Sequence, residues 1–204
     1  MWGMKVDNVS FTSKINFVDA KTFYYKFRQG LYVDPRDVDE FVRKSNEFFT
    51  DEVRTCTAGG VIDFNNSVVG GFHFFDDFDN NQALGRFIKE LFEKIQNPQR
   101  ALIVGGKQLR NSVYSLPNFT EICKGIRERV PKVTVFGEHK FPWSETDIHY
   151  SLKDDTWTVH SMYRPYTDYK EHEVRSLDDL YEAYKSIELA EGDSLYINGE
   201  QVIF

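Results

Sequence analysis

Cys56 and His73 are the two residues of this chain whose types and spacing suit chemistry. The chain has two cysteines and five histidines in 204 residues, and these two share one stretch, Thr50–Phe75 (TDEVRTCTAGGVIDFNNSVVGGFHFF). A thiol becomes a strong nucleophile when a base takes its proton, and an imidazole within reach is such a base. The stretch reads as strand, turn, strand. Val61–Phe64 favours extended structure, Asn65-Asn66-Ser67 is a turn signal, and Val68–His73 is a second strand. In a hairpin, positions equidistant from the turn face one another. The midpoint of Cys56 and His73 falls between Phe64 and Asn65, so the spacing predicts that they are cross-strand neighbours.

The neighbours of Cys56 fit the same chemistry. Thr50-Asp51-Glu52 reads as a polar turn before the strand. Arg54 would help hold a thiolate. Gly59-Gly60 would let a substrate approach closely. The competing assignment is a strand cysteine packed in the core, with His73, followed by Phe74-Phe75, as a hydrogen-bonded core histidine. Residue types alone leave both open. Cys123 has a simpler place. It lies in the apolar stripe Phe119, Ile122, Cys123, Ile126, Val130 of a predicted helix, where a thiol behaves as a small hydrophobe.

Other constellations carry less. His149 and His160 would pair directly if Asp154-Asp155 were a two-residue turn, and two such histidines can share a metal, but no third ligand stands at useful spacing. No metal and no cofactor are expected. His139 and His172 fall in polar stretches and are expected to be solvated. Asp76, Asp77 and Asp79 lack the glycine and terminal glutamate of a calcium loop and read as a helix start. Gly105-Gly106-Lys107 lacks the rest of a P-loop, and no serine sits in a Gly-x-Ser-x-Gly elbow.

The elements that must position the pair follow from periodicity. Strands are predicted over 4–12 and 22–28, and a helix from Asp34-Pro35 to Phe49 with Val38, Phe41, Val42 and Phe49 on one face. Leu84, Phe87, Ile88, Leu91, Phe92 and Ile95 mark a long helix. Ala101–Val104 is fully apolar, as in a central strand buried on both faces. A strand over 132–137, a hairpin over 147–163, a polar excursion over 164–175, a helix through Leu177–Ile187 and a hairpin on Asn198-Gly199 complete the chain. Hairpins interleaved with helices predict an α+β fold: β-sandwich-like mixed or antiparallel sheets with flanking helices, in a single domain over 1–204.

Bulk properties exclude several classes. A net charge of −7 argues against a general nucleic-acid binder, which needs a basic face. No apolar run is long enough for a membrane span. The segment MWGMKVDNVSF lacks the build of a secretory signal, and two cysteines make no disulfide framework, so synthesis in a reducing cytoplasm is expected.

The pattern Thr-x5-Cys-x16-His, borne by Thr50, Cys56 and His73, resembles the Cys–His glutamine deamidase superfamily, which includes CheD-like chemoreceptor deamidases and the catalytic domains of cytotoxic necrotizing factor-like toxins. The Gly70-Gly71 pair before the histidine, the short turn between the two strands, and the later Ala101–Gly106 run match as well, so the likeness spans about residues 50–137. Thr55 departs from it, since the family commonly has a small residue before the nucleophile. The resemblance implies catalytic roles for Cys56, His73 and Thr50. The thiolate would attack a glutamine carboxamide on a partner protein, His73 would carry the proton, and Thr50 would orient the ring. It also implies use as a bacterial toxin or effector delivered into a host cell. A non-enzymatic binding or inhibitory module, and a Cys–His amidase or peptidase, are the alternatives.

Overall fold

Two β-sheets packed face to face hold the site between them. The structure is a computed structural model that describes residues 12–37, 39–75, 81–107, 113–167 and 169–203. The predicted strand at 4–12 lies outside the described residues except for Thr12. So do Val38 and the Asp76-Asp77-Asp79 run.

The chain runs β1 (Lys14–Phe17), α1 (Ala20–Lys26), β2 (Leu31–Tyr32), β3 (Val42–Ser45), β4 (Glu47–Val53), β5 (Thr57–Asp63), β6 (Val68–Phe74), α2 (Asn81–Lys94) and β7 (Arg100–Gly105). It continues through α3 (Ser115–Arg127), β8 (Lys132–His139), β9 (Ser144–Ser151), β10 (Thr156–Tyr163), β11 (His172–Glu173), α4 (Leu177–Ala183), β12 (Tyr184–Glu188), β13 (Ser194–Ile197) and β14 (Glu200–Val202). The first sheet has the order β14-β13-β1-β10-β9-β4-β2, with β11 added beside β10. The second has the order β12-β8-β7-β5-β6-β3. Both are mixed: β1 is parallel to β10 and β13, and β7 is parallel to β8. The α+β sandwich with flanking helices is therefore the observed fold.

Alternation along each strand divides its side chains between two faces. The inner faces meet in one core, in which Ile15, Phe48, Tyr150 and Trp157 of the first sheet pack on Ala58, Ile62, Val69 and Leu102 of the second. The outer face of the second sheet, including Val61, Phe72 and Ile103, is covered by Phe87 and Leu91 of α2 and by Ile122 and Ile126 of α3. Every residue of β7 is buried, as its unbroken apolar run requires of a central strand. Each large side chain buried here contributes about 1.5–3 kcal/mol.

Three predicted elements are corrected. Residues 22–28 are not a strand: Ala20–Lys26 is helix, because Asp19 caps it, accepting from Thr22 N at 2.8 Å and Thr22 Oγ1 at 2.9 Å. Phe23 of the helix packs on His160 and the C-cap Phe27 on His149, both of the first sheet. No helix runs from Asp34 to Phe49. The Asp34 carboxylate instead accepts from Arg36 N at 2.9 Å in a turn, and β3 and β4 follow. The spacing of Phe41, Val42 and Phe49 imitated a helical stripe, yet Val42 pairs with Phe72 in one sheet and Phe49 with His149 in the other. The last helix stops at Ala183. From Tyr184 the chain is strand, since the Tyr184 ring packs 5.5 Å from that of Phe136 and its hydroxyl bonds Thr146 at 2.8 Å. Among the described residues, no helix is long and apolar enough to cross a membrane.

Candidate active site

The β5–β6 hairpin sets where the thiol and the imidazole fall. Its turn is four residues long, Phe64–Ser67, and Asp63 organises it by accepting from Asn66 N at 3.0 Å and Asn66 Nδ2 at 2.7 Å. The strands pair with Asp63 opposite Val68, which places His73 opposite Ala58 rather than Cys56. Cys56 lies in the bend between β4 and β5, two positions before Ala58, and its side chain joins the same inter-sheet core. The two residues are therefore diagonal neighbours on one face, not the direct pair the spacing predicts.

Glycine and phenylalanine bring the third residue in. Gly71 precedes His73 by two on the inner face of β6. A Cβ there would lie 2.7 Å from the Phe48 ring, so the missing side chain lets β4 of the opposite sheet close over β6. Thr50, two residues after Phe48, then sits over His73, with Thr50 Oγ1 2.6 Å from His73 Nδ1. Thr50 is thus a buried strand residue and not part of a polar turn; β4 continues to Val53 through a bulge at which Glu52 takes φ 57°.

This contact sets the tautomer. The Thr50 hydroxyl donates to the Val33 carbonyl at 2.9 Å, which leaves its oxygen to accept from His73 Nδ1–H. The lone pair is then on Nε2, which is buried and has no hydrogen-bond partner among the described residues. Burial pushes the ring's pKa down to about 3, against a smaller upward pull from the Asp34 carboxylate. His73 is therefore a neutral base.

Cys56 and His73 line one cavity of about 600 Å³, together with Tyr32, Asp51, Arg54 and Phe75 among others. Cys56 is 5% exposed and His73 3% exposed, so both side chains sit at the cavity's depth. The Tyr32 hydroxyl donates to Asp51 Oδ1 at 3.0 Å, and Arg28 donates to Asp51 Oδ2 at 2.7 Å. Burial raises the Asp51 carboxyl's pKa against these two partners. Arg54 lines the same cavity, with its guanidinium held by Glu145, Nε at 2.9 Å and Nη2 at 2.8 Å. Gly59 and Gly60 do not admit a substrate. A Cβ at Gly59 would lie 1.9 Å from the Leu102 carbonyl, and one at Gly60 would lie 3.0 Å from Phe48 and Trp157, so both serve packing.

The remaining candidates lie elsewhere. Cys123 is buried in α3, and burial pushes its thiol up to about 12. His149 and His160 are not paired: the β9–β10 turn is again four residues, so His149 faces Thr158 and His160 faces Asp147. His160 Nδ1 bonds Asp147 Oδ2 at 2.8 Å, and His149 Nε2 bonds Glu47 Oε1 at 3.0 Å. His139 is not solvated. It is buried at the end of β8 against the Tyr184 ring, with its pKa pushed down to about 3 by burial first and Lys107 second. His172 is half-buried in β11. Tyr32 and the Val33 carbonyl escaped the sequence reading because a helix was assigned beside them, and Asp51 was read only as part of a turn. The alternation Phe48-x-Thr50 was the available signal for β4. Lys107, set aside once the P-loop failed, is buried beside this site with Nζ 3.2 Å from Ser144 O.

No family model matches the chain, and no curated protein matches it.

Proposed function

We propose that this protein is a thiol-dependent amidohydrolase that converts a glutamine side chain of a partner protein to glutamate. The observation that carries the proposal is the Thr50–His73 hydrogen bond, which leaves a neutral Nε2 lone pair buried in the cavity that Cys56 lines. The recessed thiol suits a long, unbranched side chain entering from a protein surface. Asp51 retains a lone pair on each oxygen beyond its bonds to Tyr32 and Arg28, and can accept from a carboxamide N–H.

The protons balance through one nitrogen. Nε2 takes the Cys56 proton as sulfur bonds to the carboxamide carbon, and the Thr50 oxygen holds Nδ1–H through the step. The carbonyl oxygen becomes an oxyanion. Nε2–H then protonates the departing nitrogen, which leaves as ammonia from a thioester. Nε2 next deprotonates a water that attacks the thioester, and the returning proton restores the thiol. An amine in place of water would give transglutamination from the same thioester.

The test is alkylation followed by turnover. Iodoacetamide near neutral pH should label Cys56 quickly and leave Cys123 unlabelled. A Cys56 that reacts only after denaturant would overturn the enzymatic reading and favour a binding module. With a substrate protein, intact mass should rise by about one unit per glutamine, and Cys56→Ser should stop the change. Fragments in place of that shift would mean peptidase action.

A further inference from the structure

Lys107 is a buried cation for which the proposed chemistry has no use. It follows β7 at the end of the sandwich where Cys56 lies. The β5–β7 register pairs Thr57 with Gly105, and two steps further would set Thr55 against Lys107. There the Ser115 hydroxyl replaces the ladder, accepting from Lys107 N at 2.9 Å and donating to Thr55 O. Gly105, whose added Cβ would lie 2.6 Å from the Cys56 carbonyl oxygen, brings the end of β7 against the same bend. Gly106 at φ 80° then turns the chain, a conformation few side chains adopt. The lysine crosses to the first sheet, where Nζ donates to Ser144 O at 3.2 Å. Its backbone is thus pinned to the bend that carries the thiol, and its ammonium reaches the residue before Glu145.

The charges around it are otherwise matched. Arg28 pairs with Asp51, Arg36 with Asp34 and Arg54 with Glu145. Among the described residues Lys107 is the one cation at this end that forms no ion pair. Burial first, then repulsion by Arg54, pushes its amine down to about 8 against the pull of Glu145, so at pH 7 it is still mainly ammonium. A buried cation is costly until an anion meets it. Of the basic groups that line the thiol's cavity, His73 is neutral, and Arg28, Arg36 and Arg54 are each held by one of these carboxylates.

We propose that Lys107 supplies the positive charge that stabilises the Cys56 thiolate. The inference rests on Cys56 being the nucleophile. The proton still passes from sulfur to Nε2 of His73, and Lys107 stays ammonium throughout. It is a positioning residue that acts on the thiol and does not touch the substrate. The pairing is reciprocal, so a thiolate must also raise the affinity of Lys107 for its proton.

The experiment follows Cys56 alkylation by iodoacetamide across pH in the full chain, read by intact mass. In the wild type the rate should rise with a midpoint below the ordinary thiol value of about 8.5. K107M should move that midpoint up by about one unit, a roughly tenfold loss of rate near pH 7, and K107R should restore it. If wild-type Cys56 reacts no faster than Cys123, the nucleophile assignment itself fails. If Cys56 is fast and K107M leaves the midpoint in place, the assignment stands and this inference fails. A second measurement needs no lysine variant: the ¹³Cε resonance of Lys107 should titrate at lower pH in C56S than in the wild type. Equal midpoints would overturn the inference.

Discussion

Two buried histidines in this molecule are oriented in the same way and differ in everything that follows. His73 and His160 each bond a neighbouring strand residue through Nδ1, Thr50 at 2.6 Å and Asp147 at 2.8 Å, and each leaves Nε2 without a hydrogen bond among the described residues. Beyond the Nε2 of His73 is a cavity shared with a thiol. Beyond that of His160 are Glu173, at 3.8 Å, and the α1 rings of Phe23 and Tyr24. The partners differ as well. The ring of His73 is fixed by a hydroxyl, and that of His160 by a carboxylate. An oriented imidazole is thus a structural commonplace. Access and a neutral partner make one of these two a candidate base.

Substitutions that treat the two rings alike should separate them. His73→Gln is expected to lower deamidation about 10³-fold with the fold kept, measured as the rate of glutamate formation. His160→Gln should leave that rate within a few-fold but cost about 2 kcal/mol in a urea melt, because Asp147, 0% exposed, loses the His160 hydrogen bond and keeps that from Glu52 N. Equal activity losses in the two variants would end the distinction. Thr50→Val should lower kcat by about 10–100-fold with little change in KM, and Thr50→Ser should recover most of it. Gly71→Ala should cost about 2 kcal/mol and lower activity together, since the new methyl displaces the Phe48 ring that sets Thr50 over His73.

Acid gives the smallest effect. The folded-state pKa of His73 is depressed to about 3, from 6.5 for an unburied imidazole. Below pH 6.5 the unfolded chain takes up a proton that the folded ring refuses. The stability is complete above 6.5 and falls as pH falls, by about 1.4 kcal/mol per unit for this ring. Urea melts at two pH values below 6.5 should show a shallower loss in His73→Gln than in the wild type; equal slopes would mean that the ring is not held neutral.

The members of the candidate site were more legible in the sequence than their arrangement. Cys56, His73 and Thr50 were legible because a rare thiol and a rare imidazole flanked a turn, and the Thr-x5-Cys-x16-His spacing resembled a deamidase pattern. The register was not legible. Asn65-Asn66 announced a turn, but the bonds of Asp63 to Asn66, which make it four residues long, are side-chain contacts that no turn dipeptide declares. The same ambiguity at Leu152–Asp155 misplaced His149 and His160. Thr22–Phe27 was read as strand because aromatic and β-branched residues favour extended structure, but the Asp19 cap and the face offered by His149 and His160 outweighed that preference. Residues 34–49 failed in the opposite sense, since short strands that switch between two sheets mimic a helical stripe. Long, uniformly patterned elements such as α2 and β7 were read correctly.

The position of β1 has a consequence for how the site comes to exist. Residues 14–17 lie between β10 and β13, parallel to both, so one of the first strands made is flanked by strands made near the end. Thr50 belongs to this sheet and His73 to the other, with Cys56 in the bend just before β5. On a ribosome, the hairpin bearing the thiol and the imidazole can form from local contacts long before the sheet that carries Thr50 is complete. Thr50 is made before either of them, but its strand β4 gains its neighbour β9 only much later in synthesis. Such long-range closure is slow relative to local folding, so an emerging chain would carry a thiol and an imidazole without the geometry to use them.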